Sequence, residues 1–201
     1  MGKPAYIATL LLLLVSGCGL MQTTEHVVLA LQVSVTPINI GLGARVFLNV
    51  VDERPQRILG EISVQKLTGD SWQVGSITTL ASGDPSLLMH DSLRSGLLSL
   101  GFDVQPSPEA SSAYLEIHLR SLGYYFSYGY SYNIDSVSNF VASAEADVHK
   151  GRTLAFQRVY NISVQPITWG TRRGREEKIN AVLADLIGKI LADLELLAAL
   201  K

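Results

Sequence analysis

Hydrophobic and polar positions fall into blocks along this chain, and each block predicts an element. Ala5 to Val15 is an apolar run of about eleven residues preceded by a single charge, Lys3, and followed by the small residues Ser16 and Gly17. Val27 to Val35 alternates, with Val27, Leu29, Leu31, Val33 and Val35 on one side, which predicts a strand closed by Pro37. Arg45 to Val51 is apolar on both faces, the pattern of a central strand covered on both sides, and Asp52-Glu53-Arg54-Pro55 ends it. Glu61 to Lys66 and Val74 to Leu80 are weaker strand patterns around the turn Thr68-Gly69-Asp70. At Asp84-Pro85 a side-chain acceptor precedes a proline, and Met89, Leu93, Leu97 and Leu100 then recur at helical spacing up to Gly101.

Gln105 to Ser112 is a loop by composition, and strict alternation resumes at Tyr114 to Leu122. There Leu115, Ile117 and Leu119 face inward, and Glu116, His118 and Arg120 face outward. Phe140 to His149 and Arg152 to Val164 read as a hairpin about Lys150-Gly151. Its inward sets are Ala142, Ala144, Ala146 and Val148, then Leu154, Phe156, Tyr160, Ile162 and Val164. After a loop from Gln165 to Gly174, residues Arg175 to Ala199 carry one apolar stripe, Ile179 to Leu194, long enough for a helix that covers a sheet. Strands, helix, strands, helix predict an α+β domain: a mostly antiparallel or mixed sheet with two amphipathic helices packed on it.

The first block is too short to span a bilayer, which needs about 20 apolar residues. It reads as a secretory signal, and Val15-Ser16-Gly17-Cys18 resembles the bacterial lipobox. The resemblance implies that residues 1–17 are removed and that Cys18, the one cysteine of the chain, receives a diacylglycerol thioether and an N-acyl chain. Each buried methylene adds about 0.8 kcal/mol, so such chains hold a protein on a membrane. Residues 18–26 would then be a lipidated tether and 27–201 a single periplasmic domain. In the lipoprotein class that this resembles, an aspartate after the cysteine favours the inner membrane, so Gly19 implies the outer one.

Charge and composition remove several functions. Losing Lys3 leaves the rest one unit more acidic than the formal −2 of the whole chain, which excludes nucleic acid as a partner by bulk charge. A lipidated lone cysteine leaves no disulfide, thiol nucleophile or cysteine-ligated metal. His26, His90, His118 and His149 are scattered, with no metal-ligand spacing and no acid forced into reach. His90 and Asp91, being adjacent on a helix, should not pair. No Gly-x-Ser-x-Gly elbow or phosphate loop occurs, and Gly41-Leu42-Gly43 lacks the third glycine of a dinucleotide site. No catalytic residue, metal or cofactor beyond the acyl groups is therefore assigned.

Three segments retain alternatives. Asp52-Glu53-Arg54 is either an acid–base group at a strand end or a charged exit with Arg54 tied to a neighbouring carboxylate. Tyr124, Tyr125, Phe126, Tyr128, Tyr130 and Tyr132 form an aromatic segment that suits a partner surface, self-association or internal packing. Arg172, Arg173 and Arg175 could contact anionic lipid head groups, or be solvated with Arg175 paired to an acid.

The lipobox, Val33-Ser34-Val35-Thr36-Pro37, Val51-Asp52-Glu53-Arg54, Leu100-Gly101-Phe102, Leu115-Glu116-Ile117, the hairpin and the final helix together resemble the YajG-type family of bacterial outer-membrane lipoproteins. That resemblance implies a small α/β lipoprotein of undefined role with no catalytic set to carry over. The tyrosine segment is not part of it. The expectation is a non-enzymatic, periplasm-facing binding or assembly module, with an envelope protein or a second copy as partner. The alternatives are an envelope hydrolase using Asp52 or Glu53 and a carrier for an apolar ligand between sheet and helices.

Overall fold

The computed structural model describes residues 21–31, 33, 35–55, 57–68, 71–127, 137–165 and 171–201. The signal segment and Cys18 lie outside these residues. Among those described, the chain forms β1 (Met21–Val28), β2 (Arg45–Asp52), β3 (Ile58–Thr68), β4 (Ser71–Ser82), α1 (Pro85–Ser99), β5 (Asp103–Gln105), a 3-10 turn (Pro108–Ala110), β6 (Ala113–Ser127), β7 (Val137–Lys150), β8 (Thr153–Val164), α2 (Arg172–Leu191) and α3 (Leu194–Ala199). The class is α+β, as the pattern predicts. Its strands make two sheets, β5-β2-β6-β7-β8 and β1-β4-β3. In the larger, β2 lies parallel to both β5 and β6, and β6-β7-β8 is an antiparallel meander. In the smaller, β3-β4 is an antiparallel hairpin and β1 joins β4 in parallel.

The core lies between the larger sheet and the helices. Met89, Leu93 and Leu97 of α1 and Ile179, Leu183, Leu186 and Ile190 of α2 are wholly buried, as are Leu115, Ile117 and Leu119 of β6. Ala142, Ala144 and Ala146 line the inner face of β7, and their small side chains let α2 pack close to that strand. The α1 boundaries follow local chemistry. Asp84 accepts from the Ser86 N–H at 2.9 Å, with Pro85 in the first turn. At the other end Gly101 takes φ +84°, and Phe102 N–H reaches the Leu97 carbonyl at 3.0 Å while Gly101 N–H reaches Leu98. That is a Schellman closure, with buried Phe102 supplying its apolar contact.

Several expectations change. Met21 to His26, expected as tether, belong to β1, so the folded part begins earlier than Val27. The alternation from Val27 to Val35 is genuine burial but only partly strand. Beyond Val28 the chain leaves the sheet, while Leu29, Leu31, Val33 and Val35 still pack on the core. The Asn180 amide of α2 replaces a neighbouring strand there, accepting from Ala30 N–H at 2.9 Å and donating to the Val28 carbonyl at 3.1 Å. β2 is buried on one face only: Val46 and Leu48 point into the core, whereas Phe47 is half-buried and stacks on Tyr114. The 105–112 loop gives up Gln105 to β5, a three-residue edge strand.

Two bulges reset the strand phase. In β6 the register shifts between Leu119 and Ser121, so the buried positions pass from Leu115, Ile117 and Leu119 to Leu122 and Tyr124. In β8 the step from Phe156 to Leu154 opposite Val148 and His149 puts Leu154 on the other face, where it is exposed rather than inward. The predicted final helix is also two helices. Asp193 ends α2 and caps α3, accepting from Glu195 and Leu196 N–H at 3.0 and 3.2 Å. The stripe therefore breaks: Leu194 is exposed, and Leu196, Leu197 and Leu200 are buried in its place.

Candidate functional site

At the end of β2 the strand geometry separates two acids that the sequence sets side by side. Even-numbered residues of β2 face the helices, and Asp52 continues that set. Glu53, whose N–H extends the ladder to the Leu119 carbonyl at 3.0 Å, emerges on the opposite face. Asp52 is held by Arg54 through Nε at 2.8 Å and a terminal nitrogen at 2.7 Å, and Arg54 is almost wholly buried. Burial alone would raise the Asp52 carboxyl, but the Arg54 hydrogen bonds outweigh it and hold it below its ordinary value. The pair borders an open polar cleft with Arg57, Gly83 and Asp84. An acid bound this way is a counter-ion, and the charged-exit reading of this motif is the one the geometry supports.

Glu53 instead enters a charged network on the solvent-facing side of the larger sheet. Its Oε1 lies 2.7 Å from His118 Nδ1 and its Oε2 pairs with Arg120. Arg120 also reaches Glu145 at 2.7 Å, and Gln157 donates to the same carboxylate at 2.6 Å. The His118 Nε2 faces Glu116 at 3.7 Å and Asp147 at 3.8 Å. Glu116 accepts in turn from Asn49 at 3.0 Å and from Tyr114 at 2.9 Å. No local pattern predicts that His118 meets an acid, because Glu53 is 65 positions away and β2 and β6 are brought together only by parallel pairing. Among the described residues both ring nitrogens of His118 face carboxylates, which hold the ring within the charged network. Among the described residues no cluster of histidine, cysteine and acid side chains is arranged to hold a metal ion. His90 and Asp91 also correct the expectation, since Nδ1 and Oδ1 are 3.2 Å apart on the exposed face of α1. Adjacent side chains that diverge at Cβ can still bend together at their tips.

A third cluster joins both sheets to α2. Tyr124 is buried rather than part of a surface, with its ring tilted on Phe140 at 5.4 Å and its hydroxyl 2.6 Å from Thr79 Oγ1. Thr79 donates to Glu25 at 2.6 Å, and Glu25 receives Arg175 at 2.6 and 2.7 Å. Arg175 is thus buried in an ion pair and taken out of any head-group contact. Arg172 donates to the His26 carbonyl at 2.7 Å, and exposed Arg173 pairs with Glu177 one turn on. All three sit in the first turn of α2, not ahead of it. Of the aromatic segment, Tyr125 is about half exposed, Phe126 lies in β6, and Tyr128, Tyr130 and Tyr132 fall outside the described residues. A shallow groove of about 300 Å³ lies at the surface, lined by Val35, Ile38, Ile40, Leu100, Leu191 and Leu194.

No curated protein matches the sequence. Among solved structures, protein XCC0632 from Xanthomonas campestris superposes with a TM-score of 0.53 at 15% identity, covering 83% of this chain and 94% of that one. A minor lipoprotein from Acinetobacter baumannii gives 0.45 at 9% identity over 75% and 91%, and lipoprotein GNA1162 from Neisseria meningitidis gives 0.40 at 12% over 75% and 99%. The first shares the fold. The model of a family described as uncharacterized lipoprotein, Lipoprotein_16, matches residues 32–201. The chain belongs to that lipoprotein family.

Proposed function

We propose that this protein is a non-catalytic lipoprotein of the bacterial outer membrane, of YajG type, anchored through acylated Cys18 with its domain in the periplasm as a binding or assembly module. One observation carries the non-catalytic reading. Asp52 and Glu53, the acids best placed for hydrolysis, lie on opposite faces of β2 and are each engaged by a cation of the same fold. Two carboxylates on opposite sides of a strand cannot flank one scissile bond. The binding reading rests on the solvent-facing charged surface around His118 and Arg120 and on exposed Tyr125 at the edge of the aromatic segment.

Fractionation of cells producing Cys18→Ser tests the anchor: the variant is expected in the soluble periplasmic fraction, and its retention with outer membranes would remove the lipid from the argument. Asp52→Asn and Glu53→Gln are expected to preserve whatever envelope phenotype a deletion loses. A photo-crosslinking residue at Tyr125 in the native host should capture a discrete envelope protein or a second copy, and the identity of the adduct separates assembly from self-association. The surface groove beside Leu194 supports a carrier reading less directly. Native mass spectrometry of the purified chain should then retain an apolar ligand.

A further inference from the structure

The larger sheet ends in a long edge. Among the described residues β8, twelve residues from Thr153 to Val164, pairs with β7 alone, whereas β5 at the opposite end has three residues. In an antiparallel ladder the N–H and C=O of one residue point the same way, and successive residues point to alternate sides. The Asn161 carbonyl receives the Lys189 ammonium of α2 at 3.4 Å, so it faces away from β7. Gln157, Val159, Asn161 and Ser163 therefore direct their backbone groups outward, and the residues between them carry the ladder to β7. Edges are commonly blunted by proline, by lysine or by a bulge. β8 contains no proline or lysine, and its bulge, opposite Val148 and His149, lies near its start. From Gln157 onward the pairing is regular. The open-face side chains of that span are uncharged, and Val159 at its centre is 54% exposed. The one charge, Arg158, is held on the helix side by Asp193 and Glu195.

Such an edge accepts an added strand through its backbone, and the alternating side chains decide which strand fits. A second β8 fits, antiparallel, about a two-fold axis through Val159. Val159 then lies opposite the Val159 of the second copy, Gln157 opposite Asn161, Arg158 opposite Tyr160 and Phe156 opposite Ile162. The outward backbone groups of Gln157, Val159 and Asn161 meet their counterparts as hydrogen-bonded pairs, and no like charges stand opposite each other. The Lys189 contact is long for a hydrogen bond, and the Gln157 N–H of the second copy takes its place on the Asn161 carbonyl. We propose that β8 is the surface through which two copies of this chain pair, antiparallel about Val159, joining their larger sheets into one. The contact is isologous and uses the long free edge of each copy, so it closes at two. This inference rests on the binding reading above and names the partner as a second copy. It is independent of the acylation of Cys18.

The test is sedimentation equilibrium of the full chain, purified from its host in a non-ionic detergent. The unsubstituted chain is expected to approach the mass of two copies as its concentration rises. Val159→Lys and Val159→Glu each set like charges opposite one another at the axis and should weaken self-association about tenfold or more. The Val159 side chain is exposed, so neither change touches the core. An equimolar mixture of the two variants should restore pairing, because lysine then faces glutamate. A single copy at every concentration, or a single copy bound to a different protein, overturns the proposal and leaves the binding reading to the Tyr125 adduct. Dimers indifferent to both variants overturn it, as does a mixture that stays monomeric. Should the variants fail to fold, amide exchange of the unsubstituted chain replaces them. The N–H groups of Gln157, Val159 and Asn161 should exchange more slowly as concentration rises, and exchange independent of concentration overturns the proposal.

Discussion

Glu25 and Arg175 are 150 positions apart and almost fully buried, and the energetics of the junction between the sheets centre on them. Removing one member of a buried pair strands the other charge, at a cost of about 3–5 kcal/mol. Burial by itself raises the Glu25 carboxyl, but hydrogen bonds from Arg175 and Thr79 outweigh it and hold it below its ordinary 4.5. A carboxylate depressed in the folded state contributes its stability fully above the unfolded value and loses it as pH falls through the folded one. Glu25→Gln is therefore expected to lower the urea midpoint strongly at pH 7 and much less near pH 3. An equal gap at both values would mean that charge is not what matters there. The Arg173–Glu177 pair in the same turn is solvent-exposed, and its loss should be within about 0.5 kcal/mol.

Between elements, two contacts decide how the pieces fit. Gly123 in β6 has φ +153°, and a Cβ there would lie 2.1 Å from the Leu59 carbonyl oxygen of β3. Backbone cannot yield as a side-chain tip does. Gly123→Ala should destabilise the fold by about 3 kcal/mol or more and loosen the smaller sheet from the larger, and hydrogen exchange in β3 and β4 would report it. Asp193 is the second contact. It caps α3 and also receives Arg158 and Tyr160 from β8, each at 2.6 Å. Burial alone would raise its carboxyl, but the Tyr160 hydroxyl, the α3 N–H groups and Arg158 outweigh this and hold it down. Loss of the cap alone costs about 1 kcal/mol. Asp193→Ala should exceed that, because Tyr160 is left buried without its acceptor, and thermal unfolding of the variant measures the difference. A shift of cap size only would mean that Tyr160 finds another partner.

For the molecule as a whole, the arrangement of faces matters more than any single residue. Helices α1 and α2 occupy one side of the larger sheet, and the other side presents the network of Glu53, His118, Arg120 and Glu145 to solvent. The smaller sheet docks at the Tyr124 junction.

The sequence was most legible where local chemistry decides the outcome. Asp84-Pro85 and Gly101-Phe102 bound α1 through caps whose partners lie within a few residues, and period-two alternation marked the inner faces of β6 and β7. Class α+β followed from that order of blocks. What sequence could not reach was decided by partners distant along the chain. Met21 to His26 look like tether because their polar side chains carry no periodic signal, and they become strand only because β4 offers a parallel edge. His118 meets Glu53, and Arg175 meets Glu25, only once β2 lies on β6 and α2 crosses β1. Bulges at Leu119 and Phe156, and the helix break at Asp193, shift the phase of patterns that otherwise read correctly, and so move Tyr124 inward and Leu154 and Leu194 outward. Local periodicity determines which residues share a face. Pairing across long separations determines which of those faces is core, which is surface, and which charged groups are neighbours.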